Sequence, residues 1–229
     1  MLKYIILWLI AVCCIRPITM AADYRPHIQI ICFAESYKAE YSGVVFKEDE
    51  NFYHVLTCAH ATKHLDKSKI RLKCLVVPEY NTVISNISLS SDLIRQDADI
   101  DVGLVLIPRI EGIRIRPLEL ANATLVSGTE CLSFGYVGDE YKRNVVSTIS
   151  QDGKEVESST VFYTHKTDNG KPILMVSGAV IQGMSGGALV YQNHIFGIQS
   201  SGDDKRNRLA FCPSDVICTF LGEEYGYGK

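Results

Sequence analysis

Gly183-Met184-Ser185-Gly186-Gly187-Ala188-Leu189-Val190 sets one serine in a glycine turn immediately ahead of an apolar run of strand length. Glycine adopts backbone conformations closed to other residues, so such a turn can be tight. The amides of Gly183 and Ser185 can then converge on one point, as a developing oxyanion requires. An ordinary hairpin turn containing serine has the same composition, so the reading rests on what the rest of the chain supplies. Outward from this stretch, the sequence is a succession of short β-rich runs broken by polar or glycine turns. Runs at 28–35, 41–47, 52–58, 70–78, 83–89 and 102–108 make one set. Runs at 129–136, 144–151, 159–165, 173–180, 187–191, 194–200 and 208–212 make a second. Strand-length runs at such spacing predict an all-β fold.

The turn at 47–51 makes the second and third runs a hairpin. Residues 109–128 carry Pro117, scattered charge and no sustained period, and read as a connector between the two sets. At the end, Pro213-Ser214-Asp215 followed by Val216, Ile217, Phe220 and Leu221 predicts a helix over 214–221 with Ser214 as its N-cap.

A serine hydroxyl needs a base. Leu56-Thr57-Cys58-Ala59-His60 closes the third run, which places His60 at a strand end; His54 and His64 compete with it. The base in turn needs an anion to hold its tautomer and stabilise the imidazolium. Asp101 stands directly before the apolar run Val102-Gly103-Leu104-Val105-Leu106, with Asp97 and Asp99 as alternatives. A zinc site on Cys58, His60 and His64 is a competing reading, but no second pair at ligand spacing supports it. No metal and no cofactor is expected.

The 229 residues are 47% hydrophobic and 21% charged, which excludes disordered and fibrous classes. A formal charge of -3 provides no basic footprint, so nucleic acid is not an expected partner. Residues 1–21 begin with Lys3, run through apolar Ile5 to Ile15 and end in Thr19-Met20-Ala21. They read as a secretory signal peptide, too short for a spanning helix, so a secreted chain of 22–229 without a stable membrane anchor is expected. Of the 8 cysteines, Cys13 and Cys14 fall in this leader. Cys32, Cys58, Cys74, Cys131, Cys212 and Cys218 remain, an even number that suggests disulfides in an oxidising compartment. Acceptor sequons at Asn86 and Asn122 are expected on surface loops.

The ordered set His60, Asp101, Ser185, with Tyr41-Ser42-Gly43-Val44-Val45, Phe134-Gly135-Tyr136, Ala179 to Val190, Phe196-Gly197-Ile198 and Leu209 to Asp215, resembles the trypsin-like (chymotrypsin-fold) serine proteases. It is most similar to the protease domain of the high-temperature-requirement type. The resemblance spans about 28–221. It implies two six-stranded antiparallel β-barrels, at about 28–108 and 129–212, with the site between them and a short C-terminal helix. It implies a protein or peptide substrate, with His60 as general base, Asp101 as its orienting acid and Ser185 as nucleophile. By the same resemblance, Ala179 and Val180 line the primary specificity pocket, opposite Ser200, Ser201 and Gly202, and Ser200 also orients Asp101. These residues carry no charge, so apolar side chains are expected there, unless Asp203 or Asp204 folds in to greet a basic one.

Three features depart from the family. Met184 replaces the acid that digestive-type members use for activation, so activity without trimming is expected. Cys58 stands two residues before the histidine, and a bridge to Cys32 is one pairing open to it. The chain ends shortly after Leu221, so the peptide-binding module that often follows this protease domain is not expected. A catalytically silent homologue acting as a binding module is the alternative. The sequence leaves the oligomeric state open.

Overall fold

The computed structural model describes residues 22–34, 37–63, 65, 69–76, 80–123, 125–126, 128–137, 140–148, 162–164, 170 and 173–227. The expected leader and His64 lie outside the described residues. The first set of strands is β1 (Ala22–Ala34), β2 (Tyr37–Glu48), β3 (Phe52–Thr57), β4 (Lys69–Val76), β5 (Tyr80–Ile87), β6 (Ile94–Asp97) and β7 (Val102–Pro108), and a four-residue helix, α1 (Ala59–Thr62), follows β3. Their order in the sheet is β5-β4-β1-β2-β3-β7-β6.

Successive residues of a strand point to opposite faces, and here both faces of the central strands are buried. In β2, β3 and β7, Val45, Tyr53, Val55, Val105 and Ile107 point into the first barrel, against Ile28, Ile30 and Leu65. Their neighbours Val44, Phe46, Leu56, Val102 and Leu104 point the other way, into a second cluster. That double burial makes β3 and β7 read as near-continuous apolar runs. The hairpin between β2 and β3 forms as expected, with Asp49 Oδ1 accepting from the amides of Asn51 and Phe52 at 2.7 and 2.8 Å.

The connector is more ordered than its sequence suggests. β8 (Ile113–Ile115) pairs parallel with β1, and β9 (Glu119–Leu120) pairs parallel with a strand of the second barrel. The second set is β10 (Glu130–Val137), β11 (Glu140–Thr148), β12 (Phe162–Thr164), β13 (Ile173–Ser177), β14 (Ala188–Tyr191), β15 (His194–Asp203) and β16 (Arg208–Pro213). The order β11-β10-β14-β15-β16-β13 is closed by β11–β13 pairing, a six-stranded ring to which β12 and β9 are added. Among the described residues each sheet has 8 strands, the six of the expected two-barrel fold with short edge pieces added. Leu174, Val176, Leu189, Leu209 and Phe211 fill the second barrel.

Between the barrels, the outward faces of β2, β3 and β7 meet Leu120, Ala188, Val190, Ile195 and Ile198. The helix α2 (Ser214–Leu221) closes this layer with Ile217 and Leu221. Fully burying side chains of this size is worth ~1.5–3 kcal/mol each, so this layer fixes how the barrels meet. Its N-cap is Pro213, not Ser214; the Ser214 hydroxyl is one position into the helix and donates to Ala123 O at 3.0 Å.

The expected disulfides are not formed among the described residues, where Cys58, Cys131, Cys212 and Cys218 are buried free thiols and Cys32 is also buried. Cys32 lies in the core of the first barrel, Cys131 in that of the second, and Cys212 and Cys218 in the layer between them. Asn122 is exposed in a loop, whereas Asn86 is exposed on strand β5 rather than in a loop. No helix among the described residues is long and apolar enough to cross a membrane.

Candidate active site

The chain leaves β3 at Thr57 and enters α1 with Cys58 as N-cap, a residue whose side chain makes no capping bond. The first turn of any helix has amides without partners. One of them, His60 N, donates to Asp101 Oδ1 at 3.0 Å. The His60 ring lies against the same carboxylate, with Nδ1 at 2.9 Å from Oδ2 and 3.1 Å from Oδ1. The approach of α1 to β7 depends on Gly103, where a Cβ would fall 2.4 Å from Thr62 Cγ2.

Asp101 itself has φ 54, the left-handed region that Asp tolerates better than most residues. The turn leading to it is built by Asp97, whose Oδ1 accepts from the amides of Asp99 and Ile100 at 2.8 and 3.3 Å. Asp97 thus shapes the loop, and Asp101 reaches the imidazole. His54, the competing histidine, is occupied elsewhere, with Asp49 Oδ2 at 2.7 Å and the Tyr225 hydroxyl at 2.9 Å.

From the second barrel, Ser200 donates to Asp101 Oδ2 at 2.5 Å. The register of β15 against β16 shifts between Gln199 and Ser201, a local bulge that sets Ser200 off the regular alternation. Burial would raise the Asp101 pKa, but the hydrogen bonds from His60 and Ser200 outweigh it and hold the carboxyl below its ordinary value. The hydrogen bond to Asp101, followed by that to Cys58, pushes His60 up from 6.5 to about 10 against the opposing effect of burial. The imidazole side chain keeps 39% of its surface exposed, so it is accessible from solvent.

The glycine turn at 183–187 is tied to both barrels. Ser185 O accepts from Ser42 N at 2.8 Å, and Gly186 N donates to Gln199 O at 2.8 Å. Gly186 has φ 82 and a Cβ there would lie 2.2 Å from Ser42 O and 2.3 Å from Thr57 Oγ1, so no other residue fits without moving barrel one. The buried Ser42 hydroxyl donates to Gly183 O at 3.1 Å and accepts from Tyr136 N at 2.8 Å. Thr57 Oγ1 donates to Ser42 O at 2.7 Å. Ser42 is the structural residue that sequence reasoning missed; its one signal is a polar residue ahead of the apolar run Val44-Val45-Phe46.

The amides of Gly183 and Ser185 make no hydrogen bond among the described residues, which leaves both donors available. The Ser185 hydroxyl likewise makes no hydrogen bond among the described residues. Cys58 Sγ stands 3.3 Å from His60 Nε2. Nothing in the spacing of Cys58 and His60 forecast this contact.

Val180 is half-buried, whereas Ala179, Ser201 and Gly202 are exposed. A Cβ on Gly202 would lie 2.6 Å from Val180 Cγ1, so the two expected pocket walls touch. Asp203 is held by its own turn, accepting from Lys205 N at 3.0 Å and from Arg206 at 3.3 Å. No group of three or more His, Cys, Asp or Glu able to hold a metal occurs among the described residues.

The sequence of residues 41–198 matches the model of the trypsin-like peptidase domain, well over half of the chain. No curated protein matches it. Among solved structures, the Rv3671c protease of M. tuberculosis in its active form is 16% identical, with 89% of this chain and 80% of that chain covered and a TM-score of 0.58. The HtrA-type protease AlgW, with a tripeptide, is 15% identical over 89% of this chain and 60% of that one, with a TM-score of 0.58. An inactivated protease paralogue of the scabies mite is 15% identical over 86% of this chain and 92% of that one, with a TM-score of 0.57.

Proposed function

Because the chain belongs to the trypsin-like peptidase family of serine proteases, we propose that it is an endopeptidase working through an acyl-enzyme on Ser185. The observation that carries this reading is the Asp101 carboxylate, which binds the His60 amide, the His60 ring and the Ser200 hydroxyl together. A neutral imidazole so held donates from Nδ1 and keeps its lone pair on Nε2.

The chemistry follows. Ser185 Oγ attacks the carbonyl carbon of the scissile peptide, and its proton passes to Nε2. The oxyanion accepts from the amides of Gly183 and Ser185. The imidazolium then protonates the departing nitrogen as the C–N bond breaks. Water attacks the ester, gives one proton to Nε2, and releases the acid with Ser185 restored.

The acyl side of the cleaved bond is apolar and small. An uncharged pocket gains ~25 cal/mol for each Å² of hydrocarbon it buries and leaves a basic side chain without an ion partner. The contact of Val180 with Gly202 favours Ala and Val over Leu and Ile, and disfavours Phe. The commitment of Asp203 to Lys205 and Arg206 supports the same reading. Secretion after loss of 1–21 rests on the leader pattern alone.

The second reading is a silent homologue, favoured by the engagement of His60 Nε2 by Cys58 rather than by Ser185. A fluorophosphonate probe separates the two without a known substrate. Labelling of the wild type between pH 7 and 10, lost in Ser185→Ala, is the expected result. An unlabelled wild type across that range overturns the enzyme reading.

A further inference from the structure

The base that Ser185 needs has one lone pair, on Nε2, because Nδ1 donates to Asp101. Cys58 Sγ occupies that direction at 3.3 Å. Cys58 is fully buried, so its thiol has no water to turn to. The segment carrying the nucleophile abuts the same residue: a Cβ on Gly186, next to Ser185, would lie 3.1 Å from Cys58 N. The thiol thus reaches the imidazole from backbone that adjoins the segment carrying the nucleophile.

We propose that Cys58 is a positioning residue for the general base: its thiol holds His60 Nε2 in the substrate-free protein and must yield that nitrogen to Ser185 before acylation. This rests on the endopeptidase reading. It goes further by making the availability of the base depend on a residue outside the ordered set His60, Asp101, Ser185.

Among the described residues, few groups face the imidazole. Asp101 comes from the turn before β7, Cys58 from the N-cap of α1, and Tyr41 of β2 stands edge-on with ring centroids 5.9 Å apart. Lys63, just beyond α1, is exposed. Asp101 stabilises imidazolium in any protease of this design. The thiol is the additional partner: it occupies Nε2, and its interaction with the ring adds to that of Asp101 in favouring the protonated imidazole, which cannot accept the serine proton. Both the thiol and the carboxylate act to raise the His60 pKa. The free base therefore emerges at alkaline pH, and removal of the thiol brings it back towards neutrality.

The test is the pH dependence of fluorophosphonate labelling in the wild type, Cys58→Ala and Cys58→Ser. Serine preserves most of the volume of the buried site without an acidic proton, so it serves if the alanine variant is poorly folded. A parallel titration of His60 by nitrogen NMR on histidine-labelled protein, assigned with His60→Gln, reads the base directly. In the variants the midpoint of labelling should fall by about one unit or more, which raises the rate near pH 7 about tenfold, since each unit changes the fraction of free base tenfold. The NMR midpoint of His60 should fall with it. A lost packing contact alone would lower the rate and leave the midpoint in place. Labelling of wild type and variants with midpoints within about 0.3 units overturns the role of Cys58 and leaves the endopeptidase reading standing. Absence of labelling in all three proteins, whatever the NMR shows, overturns both.

Discussion

Replacing Ser42 by alanine removes one fully buried hydroxyl that joins the first barrel to the glycine turn of the second. Two groups lose their partner. The Tyr136 amide is buried and has no water to replace the hydroxyl, a loss of ~1–3 kcal/mol. The Gly183 carbonyl belongs to a half-buried residue and can turn towards solvent, so its loss is nearer the ~0.5–1.5 kcal/mol of an ordinary hydrogen bond. Together these predict destabilisation of about 2–4 kcal/mol. At ~2–4 °C per kcal/mol for a chain of this size, Tm falls by roughly 5–15 °C. The main-chain bond from Ser42 N to Ser185 O persists, so the barrels still meet. With its carbonyl released, Gly183 is tethered less firmly, and its amide, on the preceding peptide, points at the oxyanion only part of the time. Deleting a donor from an oxyanion site costs ~10²–10³ in kcat, so loosening one should cost about 10- to 100-fold with KM little changed. Urea unfolding by circular dichroism and turnover of a small apolar peptide substrate measure the two effects. A variant within about 0.5 kcal/mol of wild type and with unchanged kcat would show that this hydroxyl does not hold the turn.

Asp101→Asn keeps the size of the side chain but removes the charge that binds imidazolium, and should lower kcat by about 10⁴-fold, as loss of the orienting acid does in such a site. The same variant reports the stability of the pair against pH. The raised His60 contributes stability that is full below its unfolded value near 6.5 and is lost as pH climbs towards about 10. The lowered Asp101 contributes above its ordinary value of 3.8 and is lost on acidification. The difference in urea stability between wild type and Asp101→Asn should therefore be largest at roughly pH 5–6 and shrink towards pH 10; a difference that grows with pH would contradict the pairing. Val180→Gly removes the side chain that meets Gly202 and should move the preference on the acyl side from Ala and Val towards Leu and Phe in a peptide library, and an unchanged profile would place the pocket elsewhere.

Much of the fold is legible because the central strands are written in one strong signal. β7 occupies 102–108, the span read from the sequence, since its apolar run is bounded by Asp101 and Pro108 and both its faces are buried. β6 is missed because Ile94-Arg95-Gln96-Asp97 has little apolar content of its own and becomes a strand by pairing with β7. β8 and β9 are too short to carry a period and exist only through β1 and β15. Ser214 fails as a cap for a similar reason, since its hydroxyl is captured by Ala123 from the connector. An even cysteine count suggested bridges, but a count is silent about which core each thiol enters, and here they are spread over three. The contact of Cys58 with His60 was equally hidden, because it depends on where a four-residue helix turns the ring.

The site shares its atoms with the fold unequally, and this decides which substitutions report on chemistry. Asp101 satisfies a helix amide, binds the imidazole and accepts from Ser200, all from a left-handed backbone that costs of order 1–3 kcal/mol to maintain. Its removal therefore disturbs α1, the base and the bulge of β15 at once, and a dead Asp101 variant does not by itself distinguish lost chemistry from a displaced helix. Ser185 is the opposite case. It ties the barrels together through its carbonyl, which any residue would supply, while its hydroxyl has no hydrogen bond among the described residues. Gly186 beside it carries the steric demand. Alanine at 185 should leave stability within the ±0.5 kcal/mol typical of substitutions away from structural contacts. If activity vanishes there without a change in unfolding, the hydroxyl's role is chemical.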